Sequence, residues 1–288
     1  MLHLGTALHP AHYSASPYPH FVVRDALPAE EYAVLAASLP PDEAIRQGGD
    51  PGDNRRFSWS ARHSLEDPAL APSWRAFIAG NVSQAFLDAV LAAFAPAIRA
   101  RYPWLEERLG PIGGWRAGVR RRDGFDRADV LLDAQVCLNT PVVAGASAVR
   151  GPHVDKPGKL FAGLFYMRPA DDTETVGGEL EIQRYRNPGA RFDGSQLDPH
   201  DVETVRRVPY AANTLVMFLN GIDALHAVTP RQPVGRSRYF VNIVGEIAHP
   251  LFDLKQRQRP FRQLRRLAAR VGDALRGRRT DSGQIRLD

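Results

Sequence analysis

Three residues of the sequence, two histidines and one aspartate, have the types and spacing of a metal site. His153 and Asp155 are separated by a single residue, and alternate side chains of an extended strand point to the same face. His226 lies far downstream, after an apolar segment that is typical of a buried strand. Together the three side chains can hold one cation and leave its other coordination positions open.

This ligand set is compatible with more than one function. Two imidazoles and one carboxylate form the facial triad of non-haem Fe(II) oxygenases, and the same set suits catalytic zinc in a hydrolase. A third alternative is a non-catalytic jelly-roll binding module, because the fold alone does not decide the function. Arg236 and Arg238 follow His226 by ten and twelve positions. A guanidinium near the metal can bind a carboxylate through two hydrogen bonds, which favours the oxygenase over the hydrolase.

The metal-binding residues fall in the part of the chain that reads as short strands. From about residue 129, apolar runs alternate with Gly and Pro turns, a pattern that predicts a sandwich or jelly roll. The predicted strands span residues 130–132, 134–140, 160–167, 177–182, 205–208, 214–219, 226–229 and 238–245.

The first part of the chain is predicted to be mainly helical. Residues 1–20 read as an irregular arm and residues 21–23 as a short strand. Apolar residues recur at helical spacing between residues 28 and 39 and again between 67 and 109. Residues 48–60 are rich in Gly, Asp and Asn, which predicts a loop. We therefore expect an α+β fold in which these helices pack on one sheet.

The tail of the chain carries most of its positive charge. Of the 288 residues, with a formal net charge of +5, residues 255–280 contribute ten Lys or Arg and one acid, so the remainder has a net charge of −4. Residues 251–288 are predicted to form a basic amphipathic helix. We favour docking of this helix on its own domain over binding to an anionic membrane surface or nucleic acid.

The amino-acid composition limits the class of protein and the kinds of cross-link and metal site that the chain can form. Hydrophobic residues make up 44% of the chain and charged residues 24%, as in ordinary globular proteins. Cys137 is the single cysteine, which excludes an internal disulfide and a cysteine-based metal cluster. The first residues lack a secretory pattern, and no apolar stretch approaches the ~18 residues of a membrane span. We expect a cytoplasmic protein.

Four motifs, in this order, resemble those of the 2-oxoglutarate and Fe(II)-dependent dioxygenases, nearest to the prolyl-4-hydroxylase-like branch. They are His-x-Asp at 153–155, Gly-Gly-Glu-Leu at 177–180, His-x-Val-x-Pro at 226–230 and Arg-Tyr at 238–239. The resemblance covers roughly residues 131–246. It implies a double-stranded β-helix (jelly roll) core at about 130–246, supported by helices within 1–125, in a single domain of residues 1–250.

The resemblance also implies a chemistry. His153, Asp155 and His226 match the iron ligands of the family. The implied cofactors are Fe(II) and the cosubstrate 2-oxoglutarate, with ascorbate as an optional addition. The implied reaction hydroxylates, or otherwise oxidises, a substrate and releases succinate and CO2. Members that halogenate lack the carboxylate ligand, so the presence of Asp155 favours hydroxylation.

Further residues match the family's cosubstrate contacts less specifically. Arg238 directly precedes an aromatic and aliphatic strand and is favoured over Arg236 as the anchor for 2-oxoglutarate, although Arg236 has the more usual spacing from His226. Tyr166 is a candidate for the distal carboxylate, and a packed core tyrosine is the equal alternative. Gln135 and Asn139 are candidates for facing the cosubstrate, and ordinary polar residues of a strand are the favoured alternative.

The sequence is consistent with several classes of substrate. A peptide side chain, a free amino acid, a sugar or a lipid-linked glycan is consistent with the motifs, and no sequence-specific nucleic-acid binding is expected. Lys156 and Lys159 lie next to the predicted ligands. Either can meet an anionic substrate, but exposure to solvent is the favoured role, because Lys is rarely buried. The loops at residues 1–20, 48–60 and 182–205 are expected to determine specificity.

Overall fold

The computed structural model describes residues 2–187, 192 and 196–254. Six helices are α1 Ala29–Ala37, α2 Asp42–Arg46, α3 Ala61–Glu66, α4 Pro72–Asn81, α5 Gln84–Arg101 and α6 Trp104–Leu109. Eleven strands are β1 Tyr13–Ser14, β2 His20–Val23, β3 Arg56–Trp59, β4 Ala117–Val119, β5 Val130–Asn139, β6 Lys159–Tyr166, β7 Leu180–Tyr185, β8 Val202–Val208, β9 Thr214–Leu219, β10 His226–Val228 and β11 Arg238–Glu246. Both sets count only elements within these described residues.

The strands form two sheets. The larger has the order β1-β2-β9-β6-β11-β5-β3, with β4 paired to β5 in parallel, and all its other pairings are antiparallel. The smaller has the order β10-β7-β8, also antiparallel. On its free side β10 pairs with the segment before β6, through the bridge between His153 and His226.

The chain alternates between the two sheets. It runs from β5 in the larger sheet to the His153 segment in the smaller, back to β6, and then to β7 and β8 in the smaller sheet. It returns to β9, crosses to β10, and ends in β11 of the larger sheet. This alternation is the topology of a double-stranded β-helix, so the predicted α+β jelly roll is confirmed.

The two faces of the larger sheet have different partners. On its outer face, Val136 and Leu138 of β5 belong to the same buried cluster as Val90 and Phe94 of α5. On its inner face, Cys137 is buried with residues of both sheets. The two-residue alternation predicted for β5 is therefore present. The helices cover the outer face and leave the inner face for a site.

The predicted helical region of residues 67–109 is divided into three helices. Val82 and Ser83 separate α4 from α5, and the Ser83 hydroxyl caps α5 by accepting the backbone N–H of Phe86 at 3.2 Å. Pro103 precedes α6, where its fixed backbone angle suits the start of a new helix. Periodicity alone did not reveal these breaks, because apolar residues continue through them.

The predicted loop of residues 48–60 is wrong in its second half, which forms strand β3. Trp59 is buried and Phe57 packs partly against the core, and β3 pairs with β5 over its full length. These two aromatic residues alternate with polar ones, which is the pattern of a half-buried strand. The Gly- and Asp-rich composition of residues 48–54 obscured this pattern.

The amino-terminal arm is attached to the sheet beside the metal-binding residues. Strand β2 pairs with β9, and the hydroxyl of Tyr18 donates to the backbone carbonyl of Leu225 at 2.8 Å. Leu225 directly precedes His226. The arm therefore helps to fix the position of the segment that carries His226.

Two remaining predictions from the sequence concern membrane-spanning helices and the basic helix of the tail. Within the described residues, no single helix is both long and apolar enough to cross a membrane; α4 and α5 satisfy that criterion only as a pair, bent by 47°. The basic helix predicted at residues 251–288 lies, from residue 255 onward, outside the described residues.

Candidate metal centre

The structure brings His153, Asp155 and His226 together. All three are buried, and their ligand atoms lie within 4.8 Å of one another. Two ligands that each lie about 2.1 Å from one ion are at most about 4.2 Å apart. A small side-chain movement therefore suffices for all three to bind one ion.

Each imidazole is oriented by a backbone carbonyl. The Nδ1 atom of His153 lies 2.8 Å from the carbonyl oxygen of Gly151, and the Nδ1 atom of His226 lies 3.0 Å from that of Ala224. A carbonyl oxygen only accepts hydrogen bonds, so each Nδ1 carries the proton. The Nε2 lone pair of both rings is thereby available to a metal.

The protonation states suit a metal. Burial lowers the pKa of His153, and the neighbouring His226 and Arg150 lower it further. Burial also lowers the pKa of His226, against the opposing effect of Asp155. Both imidazoles are therefore neutral at pH 7. Burial raises the pKa of Asp155, but the charge and the hydrogen bond of Lys159 oppose it, and that pKa lies below its usual range. The site thus offers two neutral nitrogens and one carboxylate.

Lys159 is part of this site and is not a solvated surface residue, which corrects the prediction from sequence. Its Nζ atom lies 2.9 Å from Oδ1 of Asp155, and both side chains are largely buried. The first residue of β6 thus places an ammonium against the carboxylate ligand. This charge balances Asp155 in the absence of an ion and competes with an ion for the carboxylate.

The three ligands line a cavity of about 180 Å³ between the two sheets. Its wall combines apolar and polar side chains. The apolar part comes from Val149, Ala162, Leu164, Leu180, Phe218, Val228 and Phe240, with Gly163. The polar part comes from the three ligands with Arg56, Asn139, Arg150, Lys159, Arg238 and Asn242.

Arg238 is the most deeply buried of the cationic residues that line this cavity. It is only 2% exposed, and its guanidinium carbon lies 4.9–5.0 Å from the ring centres of Tyr166, Tyr210 and Phe240. These rings offset part of the cost of burying the charge. Its Nε and Nη2 atoms are buried and have no hydrogen-bond partner among the described residues. Buried charged donors without a partner are rare and indicate a ligand.

The other predicted cosubstrate residues divide into two groups. Asn139 lines the cavity with an unpartnered Oδ1, and the Tyr166 hydroxyl, beside Arg238, is buried and also unpartnered within the described chain. Gln135 does not reach the cavity, because its amide donates to Asp133 and accepts from Asn242. Arg236 is directed away as well and forms an ion pair with Asp171 at 2.8 Å.

The Gly-Gly pair of the second motif, Gly-Gly-Glu-Leu, has a steric role. Gly177 and Gly178 both have positive φ angles, of 85° and 78°. A Cβ atom on Gly177 would overlap the carbonyl oxygen of Pro230, and one on Gly178 would lie 3.0 Å from Nε of Arg238. Only glycine combines these backbone angles with this approach. The pair therefore lets the chain pass directly over Arg238.

Three polar residues of the cavity were missed from sequence: Arg56, Arg150 and Asn242. Arg56 lies in the segment that was assigned to a loop, and the alternation of residues 56–59 is the signal that predicts a strand there. Asn242 follows Arg238 on the same face of β11, at the two-residue period. Arg150 lies in an irregular segment before His153 and has no sequence signal.

The donor set and the cavity fit a non-haem Fe(II) centre with an organic diacid. Two neutral imidazoles and one carboxylate, with space on the cavity side, are the ligands of that centre. Arg238 lines the same cavity with unpartnered donors that can bind a carboxylate, and the unpartnered hydroxyl of Tyr166 belongs to the ring that packs against Arg238.

No protein-family model matches the sequence, and no curated protein matches it. Among solved structures, the chain is similar to a Pseudomonas putida prolyl-4-hydroxylase, with 17% identity, a TM-score of 0.41 and coverage of 85% of this chain and 100% of the other. It is also similar to a bsmA homolog from Methylobium petroleophilum PM1, with 16% identity, a TM-score of 0.42 and coverage of 86% of this chain and 94% of the other. A third similar structure is the collagen prolyl hydroxylase of Paramecium bursaria Chlorella virus-1, solved as a 2OG complex. It has 11% identity, a TM-score of 0.36 and coverage of 80% of this chain and 96% of the other. The fold is established by the strand pairings of the chain itself.

Proposed function

We propose that the protein is an Fe(II)- and 2-oxoglutarate-dependent dioxygenase that hydroxylates a substrate. The observation that carries this proposal is one cavity lined both by the His153, Asp155 and His226 ligand set and by the buried, unpartnered guanidinium of Arg238. The overall reaction converts a C–H bond, O2 and 2-oxoglutarate into a C–OH group, succinate and CO2. Bound iron with its cosubstrate supplies the activation of oxygen for this reaction.

The residues of the chain prepare the site. Gly151 and Ala224 hold the two imidazoles in the tautomer that presents Nε2. Arg238, steadied by three aromatic rings, binds the distal carboxylate of 2-oxoglutarate, and the Tyr166 hydroxyl donates to the same carboxylate. Because Arg238 is positively charged and fixed, it orients the diacid without a large loss of side-chain entropy. The apolar wall excludes water from the reacting centre.

The zinc hydrolase is less well supported by the same cavity. A hydrolase of this type needs a general base near the metal-bound water. Within the described residues of the cavity wall, Asp155 is the single carboxylate, and the two histidines are its neighbours in the ligand set. No further carboxylate or imidazole is therefore present in that wall to act as the base, and the ammonium of Lys159 is held in its ion pair with Asp155, whereas Arg238 is available to bind a diacid.

Anaerobic titration with Fe(II) and 2-oxoglutarate tests the proposal. The expected result is a visible charge-transfer band that saturates at one equivalent of each, and that is lost in His226→Ala. His63→Ala, which replaces an exposed histidine, serves as the control and should retain the band. A folded protein that develops no band would contradict the proposal. Succinate release in air, with a panel of candidate substrates, then identifies the substrate.

A further inference from the structure

The cavity has more positive charge than the proposed reaction uses. Its wall contains four cationic side chains, Arg56, Arg150, Lys159 and Arg238, and one carboxylate, Asp155. The wall therefore has an excess of three positive charges. Fe(II) and the 2-oxoglutarate dianion have equal and opposite charges, so their binding leaves this excess unchanged.

Two of the four cations are already accounted for. Lys159 is paired with Asp155 at 2.9 Å, and Arg238 is assigned to the cosubstrate. Arg56 and Arg150 remain. Neither has a carboxylate partner within the described part of the chain. Two arginines that face the same cavity without an anion repel each other, and a bound anion removes that cost.

Arg56 is held on the inner face by the register of three strands. It lies opposite Asn139 of β5, and Asn139 in turn lies opposite Arg238 of β11. Directly paired residues of adjacent strands point to the same face, so Arg56 and Arg238 flank Asn139. The guanidinium carbon of Arg56 lies 5.0 Å from the ring centre of Phe240. The Sγ atom of Cys137, at 3.8 Å, is the hydrogen-bond acceptor that the structure gives it, and a thiol accepts weakly.

Arg150 approaches the same space from the segment that leads to His153. Partial burial lowers its pKa, the negative charge of Asp155 raises it, and the positive charge of Arg56 lowers it. Arg56, Arg150 and Asp155 line the same cavity, which agrees with these directions. The two exposed arginines thus stand at the mouth, with the metal ligands further in.

We propose that Arg56 and Arg150 bind a carboxylate or phosphate group of the substrate, which is a small anionic molecule with an apolar body. This inference rests on the proposed oxygenase function. Guanidinium groups bind both kinds of anion through paired hydrogen bonds. The apolar side chains of the same cavity wall, among them Leu180 and Val228, suit an aliphatic or aromatic body. The arginines thereby orient the C–H bond that reacts.

Four six-carbon probes that differ only in their head group test this inference: hexanoate, hexyl phosphate, hexanamide and hexylammonium. Binding of each to the full-length protein is measured by calorimetry in two arms. In the first arm, the protein is saturated anaerobically with Fe(II) and 2-oxoglutarate, so that Arg238 is occupied. A shift in the wavelength of the charge-transfer band then reports that the probe binds near the metal. In the second, no metal is added and Arg238→Gln removes the other anion site.

The expected result is that at least one of the two anions binds about tenfold or more tightly than hexanamide, in both arms, because charge-assisted hydrogen bonds are roughly twice as strong as neutral ones. Hexylammonium should bind more weakly than hexanamide. The double variant Arg56→Gln/Arg150→Gln should lose this preference. The control, Arg55→Gln/Arg127→Gln, removes the same charge from exposed arginines outside the cavity wall and should keep it. Comparison of hexanoate with hexyl phosphate identifies the head group.

The two arms separate this inference from the function on which it rests. A charge-transfer band without any anion preference, or a preference that survives in the double variant, would overturn the inference and leave the oxygenase in place. Anion binding that depends on Arg56 and Arg150 in the second arm, with no band in the first, would support the anion site and overturn the oxygenase.

Discussion

His153 and His226 exchange both of their backbone hydrogen bonds, at 3.0 and 2.9 Å. They form a directly opposed pair in the smaller sheet, with ring centres 4.3 Å apart. The distance between the two imidazoles is therefore set by strand pairing and does not depend on loop conformation. A metal site built in this way is largely formed before the ion binds, which lowers the entropic cost of binding.

We expect Lys159→Met to have opposite effects on stability and on metal affinity. The variant leaves the buried Asp155 without its ion-pair partner, and the loss of one partner of such a pair costs about 3–5 kcal/mol. The metal-free protein should therefore unfold at a lower denaturant concentration. Because the ammonium no longer competes for Asp155, affinity for Fe(II) or Co(II) should increase.

Urea unfolding without metal and calorimetric titration with Co(II) measure the two effects. Lys156→Met removes the same charge at an exposed position and should change neither. Equal or weaker Co(II) binding by a folded Lys159→Met protein would show that Lys159 does not compete with the ion.

Arg238→Gln should lower the affinity for 2-oxoglutarate by about 10- to 100-fold, because the charge-assisted hydrogen bonds to its carboxylate are lost. Arg236→Gln removes the same charge from a residue that is paired with Asp171 outside the cavity, so it should leave the affinity unchanged. Anaerobic titration of the charge-transfer band gives both values. The reverse order of effects would assign the anchor to Arg236.

Gly177→Ala should destabilise the protein by about 3 kcal/mol or more. Its positive φ is unfavourable for alanine, and the added Cβ would overlap the carbonyl oxygen of Pro230. Gly235→Ala is the matched control, since a Cβ there meets no atom within 4 Å. Chemical unfolding of the two variants measures the difference. A Gly177→Ala protein as stable as the control would mean that the turn relaxes without cost.

His20 gives a pH dependence away from the metal site. Burial lowers its pKa, the backbone of Tyr18 opposes this, and Arg206 adds to it. The folded state therefore keeps His20 neutral at a pH where the unfolded chain, with a pKa near 6.5, binds a proton. The contribution of His20 to stability is complete above pH 6.5 and is lost as pH falls from there toward the lowered pKa, by at most about 1.4 kcal/mol per pH unit.

His20→Gln cannot titrate, so the difference in unfolding free energy between the wild type and this variant should shrink as the pH falls from 7.5 to 5.5. Urea unfolding at several pH values measures it. A difference that stays constant across this range would contradict the lowered pKa.

The sequence predicted the parts of the site that repeat at strand spacing. His153 and Asp155 share a face because they are two residues apart, and β5 alternates as its sequence indicates. The short strands with Gly and Pro turns indicated a sandwich or jelly roll, and the double-stranded β-helix was implied only by the resemblance of the motifs to a known family. The shared face of His153 and Asp155 and the alternation of β5 follow from a regular backbone period, so they can be derived without coordinates.

Features that depend on approach between distant segments could not be derived. The Lys159 side chain was expected in solvent because lysine usually is, and its ion pair depends on how the turn at residues 156–158 folds back. Arg56 reaches the cavity only because β3 joins the edge of the larger sheet next to β5. Gln135 has the strand parity of Asn139, yet a hydrogen-bond network with Asp133 and Asn242 holds it away from the cavity.

The attachment of the amino-terminal arm has a consequence for biosynthesis. Strand β2 pairs with β9, and the hydroxyl of Tyr18 donates a hydrogen bond to the carbonyl of Leu225. Residues that the ribosome adds early therefore form their native contacts only after residues that it adds about 200 positions later. Until β9 and β10 emerge, the nascent arm has no native partner and exposes Phe21 and Val23, which are buried in the finished fold. Such long-range closure slows folding and favours transient chaperone binding. The second histidine can therefore be enclosed only after β9 and β10 have been synthesised.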